Sequence, residues 1–189
     1  MYFKQNKHDF LIKKDKSRKG SIDKNIIPLV NLINSIKDYY TTSSCGGRII
    51  ILTNPKSGKR QDSKWLFMSH EKTSYNKLKK ALKKLPEDEL WFKFESVILH
   101  ITCKDIDAAQ KLLDIARNLG LKRSGIITTR KKIVVEIFDT EKIDTIIANK
   151  GKFVITEDYL RLLTKLANKK LEKRDKKIKK FICLLKPLQ

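Results

Sequence analysis

The sequence predicts an α+β fold: a mixed, largely antiparallel sheet with helices, non-Rossmann, and one long basic C-terminal helix. Three observations predict it. Apolar runs of strand character come in pairs around short polar turns, at 49–52 with 65–68, 125–129 with 133–138, and 143–148 with 153–155, the mark of antiparallel neighbours. Helical and strand patterns do not alternate regularly, as a parallel βαβ sheet requires. The seven glycines form neither G-x-G-x-x-G nor a Walker A loop, so any nucleotide-like cofactor must be held by something other than a Rossmann turn. At 189 residues the chain is expected to be one domain, residues 1–189, able to bury a core without covalent staples.

A short first helix is expected over His8–Asp15, stopping near Lys19 with Gly20 as its C′ residue. Ser21 or Asp23 can cap a second helix, whose Ile26, Ile27, Val30, Ile33 and Ile36 follow helical spacing, with Pro28 tolerated in the first turn. That helix ends by Tyr39–Tyr40, and a polar loop, Thr41-Thr42-Ser43-Ser44-Cys45-Gly46-Gly47-Arg48, follows. Strands at Ile49–Leu52 and Trp65–Met68 are joined by a turn of hairpin type at 54–58. A basic helix from Tyr75 to Leu85 ends at Pro86. Trp91–Glu95 and Val97–Ile101 read as strand, continuous or kinked near Glu95-Ser96. Ile106–Leu119 is the clearest internal helix, with Gly120 behind it.

Strand pairs then turn at Arg130-Lys131-Lys132 and at Asn149-Lys150-Gly151. Thr156 caps the final helix, 156–186, with Glu157 and Asp158 in its positive first turn and Pro187 at its end. Leu160, Leu163, Ala167, Leu171, Ile178, Ile182 and Leu185 form its apolar stripe. At about 1.5 Å per residue it spans about 45 Å, so part of it is expected to project or to meet a partner.

Forty-three Lys and Arg against 21 Asp and Glu leave a formal charge of +22, a field that attracts polyanions. Nucleic acid is the favoured partner, with a solvated lysine-rich surface the plainer alternative; charge alone does not separate RNA from DNA. Cys45, Cys103 and Cys183 are odd in number and scattered, which argues against a disulfide framework. No run approaches the ~18 apolar residues of a membrane span and no signal-peptide pattern opens the chain. A cytoplasmic protein is expected.

Cys45, His70, His100 and Cys103 lack paired close spacing, and residues three apart on a strand face opposite ways; no metal site is expected. The block at 41–48 holds four hydroxyls, a thiol, two glycines and a guanidinium directly before an apolar strand. It is either a Ser/Thr-rich loop with a Gly-Gly turn or a site, since glycines let a ligand approach and Arg48 is a fork suited to phosphate or carboxylate. His70 and His100 end strands, where a side chain can overlook a cleft. Ser17-Arg18-Lys19-Gly20-Ser21-Ile22-Asp23 is a dense polar junction, Ser124-Gly125-Ile126 starts a strand, and Glu95 lies among aromatic-rich strands.

These segments, in this order and with Lys93-Phe94-Glu95, Leu99-His100-Ile101 and Val154-Ile155-Thr156-Glu157, resemble the tRNA wybutosine-synthesising methyltransferase family in its archaeal form. The Ser-Ser-Cys-x-Gly-Arg block is the most specific element, and Ser96 stands where the family pattern has proline. The resemblance implies S-adenosylmethionine-dependent methylation of the N4 nitrogen of a tricyclic guanosine derivative, just 3′ of the anticodon of tRNA-Phe. On that resemblance Ser43, Ser44, Cys45, Gly46, Gly47 and Arg48 are expected to bind cofactor, with the modified base the alternative occupant of the Ser43–Gly47 cradle and an RNA phosphate the alternative for Arg48. His70, His100 and Asp23 would be catalytic, with either histidine orienting the ring or taking the released proton. Ser17, Arg18, Lys19, Glu95 and Ser124 would contact the tRNA. The rival reading is a non-enzymatic RNA-binding module; a nucleotidyl or phosphoryl transferase lacks both an acidic metal cluster and a phosphate loop in the sequence.

Overall fold

The computed structural model describes residues 2–13, 21–55 and 57–189. Its helices are α1 (Tyr2–Leu11), α2 (Ile27–Ser35), α3 (Tyr75–Ala81), α4 (Ile106–Asn118) and α5 (Glu157–Leu185). Its strands are β1 (Tyr39–Cys45), β2 (Arg48–Asn54), β3 (Trp65–Ser69), β4 (Glu89–Glu95), β5 (Ile98–Cys103), β6 (Gly125–Thr128), β7 (Ile133–Phe138), β8 (Ile143–Asn149) and β9 (Lys152–Phe153). Two sheets form, ordered β1-β5-β7-β6 and β3-β2-β4-β8-β9. Every pairing is antiparallel, so the α+β expectation holds.

The chain divides into two compact units. The first comprises Met1–Gly46, Val97–Thr140 and Arg174–Gln189; the second comprises Gly47–Ser96 and Glu141–Lys173. In the first, Leu99, Ile101, Val135 and Ile137 project from the four-stranded sheet onto Leu29, Val30 and Ile33 of α2 and Leu112, Leu113 and Ala116 of α4. Ile178, Phe181 and Leu185 complete that core. In the second, Ile49, Ile51, Phe92, Phe94 and Ile147 pack with Leu78 of α3 and with Leu160, Leu163, Ala167 and Leu171. At roughly 1.5–3 kcal/mol per buried large side chain, each unit has a substantial apolar core. α5 therefore spends its apolar face within both units instead of projecting. No described helix is long and apolar enough to cross a membrane.

Most strongly patterned elements lie where expected. Asp105 caps α4, its carboxylate accepting the Ala108 amide at 2.8 Å, and Thr156 accepts the Tyr159 amide at 3.2 Å to open α5. Lys150 (φ 49°) and Gly151 (φ 69°) are both left-handed, as a two-residue β8–β9 hairpin turn requires.

Several expectations need correction. α1 starts at Tyr2, well before His8, because Phe3 and Phe10 both pack on Tyr40, with ring centroids 5.5 Å apart. The expected C′ residue Gly20 lies outside the described residues, as do Ser17, Arg18 and Lys19. β4 and β5 are not one kinked strand, for each belongs to its own sheet. The β2–β3 connection is no tight hairpin; it includes a 3-10 turn at Arg60–Asp62.

The largest correction concerns the hydroxyl block. Thr41 to Cys45 is not a loop but most of β1, paired with β5 from Tyr39↔Cys103 to Cys45↔Ile98. Local composition is loop-like, yet an apolar strand needing a ladder partner overrides it. A bulge between Thr41 and Ser43 lets the Thr42 hydroxyl donate to the His100 carbonyl at 3.3 Å.

At the start of α5, Glu157 accepts a hydrogen bond from Tyr75 and pairs with Lys79 and Arg161, which hold its carboxyl down at about 2. The Arg161 guanidinium lies 3.8 Å from the Tyr75 ring centroid. A depressed folded-state value means the contribution to stability is complete above about pH 4.5 and is lost as pH falls toward 2. Glu157→Gln is expected to flatten the acid dependence of the melting temperature in that window, as thermal unfolding followed by circular dichroism would show. The effect is small, because the group is exposed.

Candidate active site

Gly46 is the most constrained residue of the first unit. Its N–H donates to Asp23 Oδ2 at 2.8 Å. Its carbonyl accepts from Asn25 Nδ2 at 3.0 Å and from Arg174 Nη1 at 2.9 Å. A Cβ built on Gly46 would lie 2.3 Å from Asn25 Oδ1, so no larger residue fits. Asp23 sits at the N-cap position of the 3-10 turn Lys24–Ile26 but makes no capping hydrogen bond. Its carboxylate holds the Gly46 peptide, which corrects the expected helix cap.

Arg174 is 3% exposed and also donates to Asp175 Oδ1 through Nε and Nη2, at 2.9 and 2.7 Å. Sequence reasoning missed it, although a signal exists. Leu160, Leu163, Ala167, Leu171, Arg174, Ile178, Phe181 and Leu185 continue one helical face in steps of three and four. A guanidinium at a core position of that stripe must be buried and partnered.

On β1, Ser43 lies directly opposite His100 of β5, and His100 lies opposite Glu136 of β7. His100 is therefore mid-strand, not at a strand end as expected. Its Nε2 is 2.9 Å from Glu136 Oε2. An ionised carboxylate only accepts, so Nε2 carries the proton and Nδ1 holds the lone pair of the neutral ring. Nδ1 has no hydrogen-bond partner among the described residues. Ser43 is exposed, and Ser44 and Cys45 are half-buried. The row is a hydroxyl, an imidazole and a carboxylate on one sheet face, able to accept a proton and to stabilise the resulting cation.

Ser124 is buried, its hydroxyl accepting the Phe138 amide at 3.1 Å. It joins β6 to β7 and is spent on structure. Burial pushes the Cys103 thiol up to about 12, so that cysteine is an inert core residue.

In the second unit, Gly47 is left-handed at φ 76°, a conformation that costs a residue bearing a Cβ about 1 kcal/mol or more. Its carbonyl lies 2.9 Å from His70 Nδ1, so Nδ1 is the protonated nitrogen in the neutral ring. The segment after His70 is tied to α5: Asn168 accepts the Thr73 amide at 2.9 Å and donates to the Thr73 carbonyl at 2.7 Å. Arg48 and Glu95 are cross-strand neighbours joined by a 2.9 Å ion pair through Nε. The Arg48 guanidinium also lies 4.8 Å from the Trp65 ring centroid, a cation–aromatic contact. Glu95 thus aims Arg48, and Trp65 is its platform and not a core residue.

The sequence model of the family described as Methyltransferase TYW3 matches residues 4–187. The chain belongs to the TYW3 methyltransferase family. It is accordingly an enzyme that transfers a methyl group. The relative from Methanocaldococcus jannaschii is named tRNA(Phe) 7-((3-amino-3-carboxypropyl)-4-demethylwyosine(37)-N(4))-methyltransferase; it is 43% identical over 158 residues, 82% of each chain. A Pyrococcus horikoshii protein of the same name, numbered 1, is 38% identical over 165 residues, 87% of this chain and 84% of its own. The Bos taurus tRNA wybutosine-synthesizing protein 3 homolog is 35% identical over 192 residues, 99% of this chain and 74% of its own.

Among solved structures, the PH1069 protein from Pyrococcus horikoshii superposes with a TM-score of 0.89 at 35% identity, covering 97% of this chain and 95% of its own. The antiparallel α+β fold is thus a TYW3 fold.

Proposed function

We propose that this chain, acting as one methyltransferase domain in the cytoplasm, methylates the N4 nitrogen of a tricyclic wyosine-type guanosine derivative in tRNA-Phe, with S-adenosylmethionine as donor. The curated relatives named for that reaction support the substrate, and a charge of +22 supports an RNA partner. The observation that carries the chemistry is the His100–Glu136 pair, whose accepting nitrogen stands across from the hydroxyl strand.

Bound S-adenosylmethionine supplies a methyl carbon attached to a positively charged sulfur. In the first unit Ser43 offers a hydroxyl suited to a ribose or a carboxylate on the His100 face of β1, while Ser44, one residue on, lies opposite Leu99. Asp23 and Arg174 keep the Gly46 peptide fixed, so the neighbouring hydroxyls keep their aim.

Methylation of a ring N–H releases a proton. His100 Nδ1 accepts it, and Glu136 stabilises the imidazolium through Nε2–H. In the second unit, Arg48 has Nε committed to Glu95 and offers its remaining N–H groups to a phosphate or a carboxylate. His70 has its Nδ1–H on the Gly47 carbonyl, which fixes the orientation of its ring.

Isothermal titration of S-adenosylmethionine tests the cofactor assignment. The wild-type protein is expected to bind it, and Ser43→Ala, which removes the exposed hydroxyl opposite His100, to bind at least about tenfold more weakly, the loss of one hydroxyl interaction of about 1.4 kcal/mol. Absence of binding to the wild-type protein would overturn the assignment.

A further inference from the structure

We propose that the approach to β6 and the tip of the β6–β7 hairpin form an arm that grips RNA backbone through cations that are not among the residues assigned to chemistry. The inference rests on the reading of tRNA as substrate. Its starting point is a charge asymmetry in the sequence. Residues 115–135 contain no Asp or Glu but hold Arg117, Lys122, Arg123, Arg130, Lys131 and Lys132.

The structure shows these cations to be unneutralised. Arg117, Lys122, Arg123, Arg130 and Lys131 are all exposed, and none makes an ion pair among the described residues. Many other cations of the chain are spent internally. Lys72 pairs with Glu172, Lys79 with Glu157, Lys173 with Glu141, and Lys177 with Asp139. Lys132 is the exception in the arm, lying 5.6 Å from the Tyr40 ring and 5.9 Å from the Phe10 ring, which anchors the hairpin tip to α1 and β1.

Geometry turns the charge into a surface. β6 is an edge strand of its sheet, with Lys122 and Arg123 just before it and Arg130 and Lys131 just after it. Six residues, four of them in β6, separate Arg123 from Arg130, a reach of up to about 20 Å and a span of several phosphates at duplex spacing. The register slips between Ile126 and Thr128, and Ile126 and Ile127 are 38% and 51% exposed. Charges placed only to protect an edge from aggregation would sit on the strand itself. Here the strand shows two isoleucines, and the charges flank it. Apolar side chains between two cation clusters fit sugar faces between phosphates. Residues 115–135 contain no aromatic residue, so the arm grips backbone without stacking on bases.

The test is the salt dependence of binding to unmodified tRNA-Phe, without cofactor, for wild type and for the quadruple variant Lys122→Ala/Arg123→Ala/Arg130→Ala/Lys131→Ala. A matched control is Lys77→Ala/Lys80→Ala/Lys83→Ala/Lys84→Ala, which removes four exposed cations around α3. The arm variant should lower the slope of log K against log salt by about 3. It should raise KM for tRNA at least tenfold, leave kcat at saturating tRNA unchanged and melt like wild type.

A slope change below about 1, or a larger loss in the control, would overturn the arm. So would loss of binding to phosphatidylserine vesicles with tRNA affinity intact. A wild-type protein that binds tRNA but never methylates it would sink the catalytic reading, and the slope comparison would still decide the arm.

Discussion

Replacing His100 by glutamine is expected to lower kcat for tRNA methylation by about 10²- to 10⁴-fold, the usual range for removing a general base. Affinity for tRNA should stay within about twofold. Glutamine keeps the size and hydrogen-bonding capacity of the side chain but has no group that accepts a proton near neutral pH. Glu136→Gln should cost less, about 10- to 100-fold, because the imidazole remains while its cation loses the carboxylate at 2.9 Å. His70→Gln should act differently. Its Nδ1 is engaged with the Gly47 carbonyl, so that variant should raise KM more than it lowers kcat. A His100→Gln enzyme with kcat within about threefold of wild type would contradict the assignment.

Gly46→Ala should be the most damaging small substitution in the first unit. Its Cβ would lie 2.3, 2.7 and 2.9 Å from Asn25 Oδ1, Nδ2 and Cγ. Asn25 can yield only by giving up its 3.0 Å hydrogen bond to the Gly46 carbonyl. Overpacking of this kind costs about 1–3 kcal/mol, and a lost buried hydrogen bond adds about 1 kcal/mol more. For a chain of this size that lowers the melting temperature by about 5–15 °C. Arg174→Met tests the same clamp from the other side. It keeps bulk at the buried position but removes the 2.9 Å donor to the Gly46 carbonyl, and it should cost about 1–3 kcal/mol. The two losses should not add, because both act on one peptide. An unchanged melting temperature for Gly46→Ala would show that the clamp is not what holds this turn.

The elements that could be read from the sequence are those whose signal is local. α4 and α5 carry helical periodicity with side-chain caps at Asp105 and Thr156, and the β8–β9 turn is written in Asn149-Lys150-Gly151. β1 was beyond local reading, since a run of Thr and Ser becomes a strand only by pairing with β5 far along the chain. The same non-locality hid the roles of Asp23 and Arg174, whose shared partner is the backbone of Gly46. Their types were visible and their target was not. Glu95 was legible only as a carboxylate either on an exposed face or buried with a partner, and it pairs with Arg48 across the strands. Ser124 shows the opposite failure, a small polar residue at a strand start whose hydroxyl serves the Phe138 amide.

The most direct test is nucleoside mass spectrometry of tRNA-Phe bearing the unmethylated tricyclic base, incubated with the wild-type protein with and without S-adenosylmethionine. The account predicts a gain of one methyl group on that nucleoside, located at N4 by fragmentation, only when the cofactor is present. No gain, with cofactor and tRNA both shown to bind, would contradict it.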